Sequence, residues 1–393
     1  MARCDQRAAI VTTPLMPFPD STILASRHRQ VRDRLGALGV GGVVVTNPTN
    51  VRYLSNHAGT AGTLVLTERS LHLLVDFRYQ ESVRETQASA ATCPNLEVCP
   101  VPASYDEALV ELLSRPGMPH SVGIEATHMT VAQKEWLERA CRDRRLPVTL
   151  VSTERVVEQV RIIKSPAEIA TLRDAATRLG PVAERAFAAI RVGVSERDVA
   201  GVIEAAMRAN GFERPAFETI VASGPNSALP HYRAGSRTLA SGDLVVLDFG
   251  GVLDGYCSDL TRTVSVGAPS PDAHRLYAAV RDAQQAAISA VRPGVPATSI
   301  DAAARDLLKS RGLGEAFGHG TGHGLGLDVH EEPRVGQPRP DSSSVQLEPG
   351  MVFTIEPGAY VPGLGGVRVE DDVLVTDLGC EVLTSVPRDL LAL

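Results

Sequence analysis

The chain has 393 residues, more than one hydrophobic core usually holds, so two domains are expected. Hydrophobic residues at 44%, charged residues at 22% and a mean hydropathy near zero exclude both a disordered chain and a membrane-embedded one. A net charge of −7 and only 4% aromatic residues offer phosphate backbones no general basic surface and bases no stacking platform, which excludes nucleic acid as the main partner.

Six cysteines, Cys4, Cys93, Cys99, Cys141, Cys257 and Cys380, are scattered without a CxxC pair; this is the usage of reduced intracellular thiols that serve packing. The first forty residues carry Pro14, Pro17, Pro19 and repeated arginines, and no apolar run reaches signal-peptide or membrane-spanning length. A cytoplasmic location without membrane attachment is therefore expected.

In chain order, a basic helical stretch from Ser26 to Leu38 precedes a buried-strand run at Gly42–Thr46 and a hairpin-like segment at Thr63–Val75. Helical spacing follows at Tyr79–Thr86 and Tyr105–Leu113, a strand at Ser121–Glu125 and a helix at Val131–Arg142 around Trp136. That alternation predicts a small α/β domain. Long helical segments begin at Val156 and restart after Ser165-Pro166, a serine N-cap followed by proline at the first helical position. The boundary is placed between residues 157 and 158, giving domains 1–157 and 158–393. The Pro-, Ser- and Gly-rich stretch Glu331–Pro349 reads as a surface loop.

The second half contains an internal repeat. Gly193 and Gly211 bracket one turn-plus-helix pattern, and Gly294 and Gly312 bracket another at the same spacing. Downstream, Gly242 precedes Asp248 by six positions and Gly350 precedes Glu356 by six. Two elements recurring in the same order predict a pseudo-twofold α+β domain in which each copy's strand delivers an acid.

Val245–Asp248 reads as a buried strand, Asp254-Gly255 as a hairpin tip, and Asp259 lies in the return strand eleven positions after Asp248. Across an even-sized loop an odd spacing puts both carboxylates on one face. Glu356 ends the apolar run Val352–Ile355, and Arg368 and Glu370 share a face at strand spacing. Four acids gathered in a low-dielectric interior must either take up protons or be neutralised by cations. A pair of divalent metals is the simpler answer. Gly318-His319-Gly320-Thr321-Gly322-His323-Gly324 and His330 bring imidazoles, with His231 a further candidate. Oxygen-rich sites with one or two imidazoles suit Mn²⁺, Co²⁺, Fe²⁺ or Zn²⁺.

The segments LDFGG, SDLTRT, HGTGHGLGLDVHEEP, FTIEPG and GVRVEDD resemble the metal-binding signature of the proline-specific peptidases of the pita-bread fold, the Xaa-Pro aminopeptidases and Xaa-Pro dipeptidases. The resemblance spans residues 160–393. More loosely, NPTNVRYLS and DFRYQES are similar to the creatinase-like N-terminal domain. It implies a creatinase-like α/β domain followed by a pita-bread catalytic domain. By the same resemblance Asp248 and Asp259 ligate one metal, Asp259 and Glu370 bridge, and His323 and Glu356 complete the second site, with manganese foremost among the candidates. A water or hydroxide bridging the two ions would then attack the scissile carbonyl, with Glu356 as its proton acceptor. His231 and His330 match the family's histidines facing the tetrahedral intermediate and the leaving proline nitrogen, and His319 shapes the site beside them. Arg368 either orients a carboxylate ligand or binds a substrate carboxylate. A proline-containing peptide substrate and a homodimer are further implications.

Three other readings fit the sequence less well. Methionine aminopeptidases use a similar ligand set without a separate N-terminal domain, and a non-catalytic scaffold on this fold would have no use for an unoccupied cluster of acids. Creatinase-like amidinohydrolases share both domains but lack the ligands retained here.

Overall fold

The apolar runs of the first half assemble into one sheet in the computed structural model, which describes residues 18–340 and 344–393. Strands β1 (Gly42–Val45), β2 (Thr63–Thr67), β3 (Leu71–Val75), β4 (Leu96–Pro100), β5 (Ser121–Glu125) and β6 (Thr149–Thr153) line up in the order β4-β3-β2-β1-β5-β6. β1 to β3 pair antiparallel, and β4, β5 and β6 join in parallel. The central three are buried on both faces because helices α1 (Ser21–Ala37), α2 (Pro48–Ser55), α3 (Phe77–Gln87), α4 (Tyr105–Leu113) and α5 (Val131–Asp143) sandwich the sheet. The sequence reading passed over β4, β6 and α2. The first two are edge strands with mixed burial, and edge strands carry the weakest alternation. α2 is capped by Asn47 with Pro48 in its first turn, a start signal that was legible. Cys4 lies outside the described residues; Cys93, Cys99, Cys141 and Cys257 are buried free thiols and Cys380 is half-buried.

The long helix expected from Val156 is a correction. Only the short α6 (Glu158–Arg161) forms, because the chain then extends to bridge the second half: Ile163 pairs with Met351 and Lys164 N–H donates to Gly350 O (2.9 Å). The restart at Ser165 is as expected. α7 (Pro166–Ala189) opens on a capping box in which the Ser165 side chain accepts from Glu168 N and Glu168 accepts from Ser165 N.

After α7 come α8 (Glu196–Ala209), β7 (Arg214–Pro215), β8 (Ile220–Ser223), β9 (Leu244–Phe249), β10 (Gly251–Leu253), β11 (Tyr256–Cys257) and β12 (Leu260–Ser265). Then follow α9 (Pro271–Ala290), α10 (Ala297–Ser310), β13 (Gly322–Gly324), β14 (Glu331–Val335), β15 (Val352–Ile355), β16 (Gly358–Val361), β17 (Gly365–Arg368), β18 (Asp371–Val375) and β19 (Cys380–Val382). Both stretches run long helix, fourteen-residue helix, then strands. The six spaced glycines, Gly193, Gly211, Gly242, Gly294, Gly312 and Gly350, all have positive φ between 75° and 91°, the left-handed region where a side chain is costly. The stretch read as a loop from Glu331 begins with β14, an edge strand on β13. Pro333 within it argued against a strand, but an edge position tolerates a residue that donates no ladder hydrogen bond.

The halves are joined by buried charge. Arg27 of α1 pairs with Glu168 of α7 at 3.0 Å and stacks over the Tyr53 ring at 3.8 Å, while Tyr256 O–H donates to Glu168 (3.1 Å). Arg161 donates to Asn50 (2.7 Å) and Asp328 (2.8 Å) and pairs with Glu331. Asp328 and Glu331 flank His330, and Thr49 Oγ1 of the first half donates to Asp328 (3.0 Å), so the first half helps to hold a loop of the cleft in place.

Candidate metal centre

The first two acids are set by one hairpin. β9 is fully buried and pairs antiparallel with β12, placing Asp248 opposite Thr261. The same register continues through β10 and β11 with Leu253 opposite Tyr256. The tip residues Asp254 and Gly255 take φ of 48° and 81°, which is the two-residue turn the sequence called for. Asp259, two positions from Thr261, thus shares a face with Asp248. It sits in the break between β11 and β12, where its N–H donates to Asp372 Oδ2 (3.1 Å).

The other two acids come from the second strand pair. β15 and β18 are in register with Ile355 opposite Asp371, so the next step places Glu356 across from Glu370. Glu370 N–H donates to Thr261 O (3.1 Å), and Thr261 Oγ1 donates to Glu370 Oε2 (2.6 Å), which ties the two pairs together. His323 enters from β13 between two glycines. A β-carbon at Gly322 would collide with Thr354 O and one at Gly324 with Glu332 O, so only glycine lets the neighbouring strands approach this closely.

His323 Nε2 lies 3.8 Å from Asp259 Oδ2 and 3.5 Å from Glu356 Oε1. Its Nδ1 is 3.1 Å from Gly324 O; a carbonyl only accepts, so Nδ1 carries the proton and Nε2 turns a lone pair toward the carboxylates. Asp248 Oδ1 and Asp259 Oδ1 are buried without a hydrogen-bond partner. Burial, and then the charges of Glu370 and Asp248, raise the Asp259 pKa well above the carboxylate range. Burial, then Glu356 and Asp248, do the same to Glu370, and burial pushes Glu356 up to about 7. Burial lowers His323 to about 4. Lone pairs and unpartnered oxygens facing one another in a buried pocket are a donor set for a cation. One donor atom each from Asp259, His323 and Glu370 lie within 4.8 Å of one another. The oxygen-and-imidazole set therefore fits divalent metal ions.

Arg368 is the buried counter-charge. It pairs with Asp248 through Nη2, donates from Nε to Thr261 Oγ1 (3.2 Å), and from Nη1 to Tyr360 OH (2.7 Å) and Pro230 O (3.3 Å). Tyr360 in turn donates to His319 Nε2 (3.0 Å), whose Nδ1 donates to Gly320 O (2.8 Å). Both nitrogens of His319 are thus engaged within the protein, and burial lowers its pKa to about 4.

These groups open onto a cavity of about 550 Å³. His231 and His330 are exposed on its wall, the His330 ring 4.2 Å from that of His323 between centroids. All nine residues singled out in the sequence, Asp248, Asp259, His323, Glu356, Glu370, His231, His319, His330 and Arg368, line this one cavity. Sequence reasoning missed Tyr360, Asp372 and Arg334. Arg334 lines the same cavity and donates to Gln337 O (2.9 Å). A search for a cation within the glycine-rich histidine segment's strand partner would have found it.

Residues 170–377 match metallopeptidase family M24, and residues 27–163 match the creatinase/prolidase N-terminal domain. An Xaa-Pro dipeptidase of Pyrococcus horikoshii is 34% identical over 371 residues, covering 94% of this chain and 99% of its own. The solved structure of an Xaa-Pro dipeptidase from Bacillus anthracis is 35% identical with a TM-score of 0.88, over 94% of this chain and 100% of that one. The X-Pro aminopeptidase of Thermotoga maritima is 31% identical with a TM-score of 0.80, over 93% and 99%. These matches make this chain a member of metallopeptidase family M24, with a creatinase-type N-terminal domain followed by a pita-bread catalytic domain.

Proposed function

We propose that the chain is a dinuclear metal-dependent exopeptidase hydrolysing Xaa-Pro bonds, with dipeptides as its preferred substrates. The observation that carries this is the convergence of Asp248, Asp259, His323, Glu356 and Glu370 with unpartnered carboxylate oxygens and an inward imidazole lone pair. Those five residues would hold the two ions. Two divalent ions supply, when bound, Lewis-acid activation of water and polarisation of the scissile carbonyl.

The protein's own residues do the rest. Glu356, lining the cavity beside His323, would take a proton from the attacking water and pass it to the leaving nitrogen. That proton matters because the peptide nitrogen of proline carries no hydrogen of its own. His231 and His330, exposed on the cleft wall, would hydrogen-bond the tetrahedral oxygen and the leaving group. Arg368 spends its N–H groups on Asp248, Thr261, Tyr360 and Pro230, which favours orienting the acids over binding substrate. His319 supports Tyr360 in that chain. Two other cations line the cavity: Arg233 is paired with Glu218 (3.1 Å), and Arg334 can fork onto the carboxylate of a C-terminal proline, which favours a dipeptidase over an aminopeptidase acting on longer chains.

Manganese is the metal we assign first, from the predominance of carboxylate ligands. The free cysteines support a reducing cytoplasm, and no helix among the described residues is long and apolar enough to cross a membrane. We further propose a domain boundary at 157/158, a duplicated origin for the catalytic half, and a homodimer. Proline release from a series of Xaa-Pro dipeptides and Xaa-Pro-Yaa tripeptides, with Mn²⁺, Co²⁺ and Zn²⁺ in turn, tests the function. Release from dipeptides is expected to dominate; a protein inert toward both would refute it.

A further inference from the structure

In the N-terminal sheet, three side chains that the peptidase chemistry does not use meet on one face. β3 and β4 run parallel with His72 opposite Glu97 and Leu74 opposite Cys99. Side chains two positions apart on a strand share a face, so His72, Glu97 and Cys99 point to the same side of the sheet edge. One donor atom each, a ring nitrogen, a carboxylate oxygen and the sulfur, lie within 4.8 Å of one another. His72 and Cys99 are only 6% and 5% exposed, while the Glu97 side chain reaches solvent.

The His72 ring adds an independent observation. Its Nε2 is held by Ser70 Oγ (2.8 Å), while Nδ1 is buried without a hydrogen-bond partner. Nδ1 lies 3.0 Å from Glu97 Oε2. The other carboxylate oxygen, Oε1, is 3.7 Å from Cys99 Sγ and accepts from Arg115 Nη1 (2.6 Å). A buried histidine fixed through one nitrogen, with the other unpartnered beside a carboxylate and a thiol, is the arrangement of a cation ligand with its supporting hydrogen bond.

We propose that His72, Glu97 and Cys99 form a second, zinc-type cation site in the N-terminal domain, with the fourth position open to water. One imidazole, one carboxylate and one thiolate suit Zn²⁺ or Co²⁺ in tetrahedral coordination, and sulfur disfavours Mn²⁺. The thiol proton passes to solvent as the sulfur–metal bond forms, and no redox change is involved. Arg115, on an exposed side chain, balances the anionic charge of the empty site and can swing away when the metal enters.

The two sites can be told apart because the cleft described above contains no sulfur donor. Co²⁺ added to the metal-free full-length protein is expected to give a near-ultraviolet thiolate-to-cobalt charge-transfer band, which Zn²⁺ then displaces. Cys99→Ser and His72→Gln are expected to abolish the band, with Xaa-Pro hydrolysis in Mn²⁺ retained as proof of folding. The Asp259→Asn variant, crippled in the cleft, keeps the band. Absence of the band in the unsubstituted protein, or its survival in Cys99→Ser, overturns the proposal and leaves an ordinary histidine–glutamate ion pair. Because the readout is spectroscopic, its failure is distinct from failure of the peptidase reading.

Discussion

Replacing Thr261 with valine removes one hydroxyl that both strand pairs depend on. Its Oγ1 donates to Glu370 Oε2 at 2.6 Å and accepts from Arg368 Nε at 3.2 Å, in a fully buried position. A hydrogen bond to a charged group contributes about 1.5–3 kcal/mol, and substituting a residue that supports a metal ligand typically weakens metal binding about 10- to 100-fold. The loss also has a sign in pH. The Thr261 hydrogen bond is one of the influences that lower the Glu370 pKa against the larger effect of burial, so without it the carboxyl holds its proton to higher pH. Cation loading requires the deprotonated ligand. Titrating the metal-free variant with Mn²⁺ across pH is therefore expected to show binding weakened about 10- to 100-fold and a loading midpoint moved upward, with kcat/KM for an Xaa-Pro dipeptide falling in step. Thr261→Ser, which keeps the hydroxyl, restores both. A valine variant that loads Mn²⁺ with unchanged affinity over the unchanged pH range refutes the reasoning.

Other expectations follow from the same geometry. Arg334→Met is expected to raise KM for Xaa-Pro dipeptides about 10- to 100-fold, as loss of a charge-assisted fork would, with little change for tripeptides; equal losses on both would contradict carboxylate recognition. In the metal-free protein, Asp259, Glu370 and Glu356 have pKa values raised on folding, Glu356 to about 7. Their contribution to stability is present at acid pH and is lost as pH rises through those values. His319 and His323, lowered to about 4, contribute in the opposite sense: stability present above their ordinary pKa is lost as pH falls. The metal-free protein should therefore melt highest at mildly acidic pH, and the gap in Tm to the Mn²⁺ form should widen toward about pH 8 as binding releases protons. A gap that narrows instead would oppose this. Arg27→Met leaves Glu168 buried without its cation and should cost about 3–5 kcal/mol in urea unfolding; a loss below about 1 kcal/mol would show the ion pair to be incidental.

Much of the site was legible because its logic is local. The eleven-residue spacing of Asp248 and Asp259 works as expected, since the Asp254-Gly255 tip is a two-residue turn and the register runs unbroken across it. The spaced glycines were legible for a similar reason: each stands where φ is positive. What escaped is non-local. Tyr360 joins Arg368 to His319 only after β16 and β17 fold back on each other. Asp372 supports Asp259 from 113 positions away. The segment after Val156 has helical spacing, yet its end is captured by Gly350 and Met351, and this tertiary pairing overrides local propensity. β14 was hidden by Pro333, which an edge position tolerates.

The central claim is that two cations are held jointly by the acids and His323. Metal stoichiometry of the Mn²⁺-loaded chain after dialysis, compared with Asp259→Asn, tests it most directly. The account predicts about two ions per chain in the unsubstituted protein and loss of both metal and proline release in the variant. Equal metal content and undiminished hydrolysis in Asp259→Asn would contradict it.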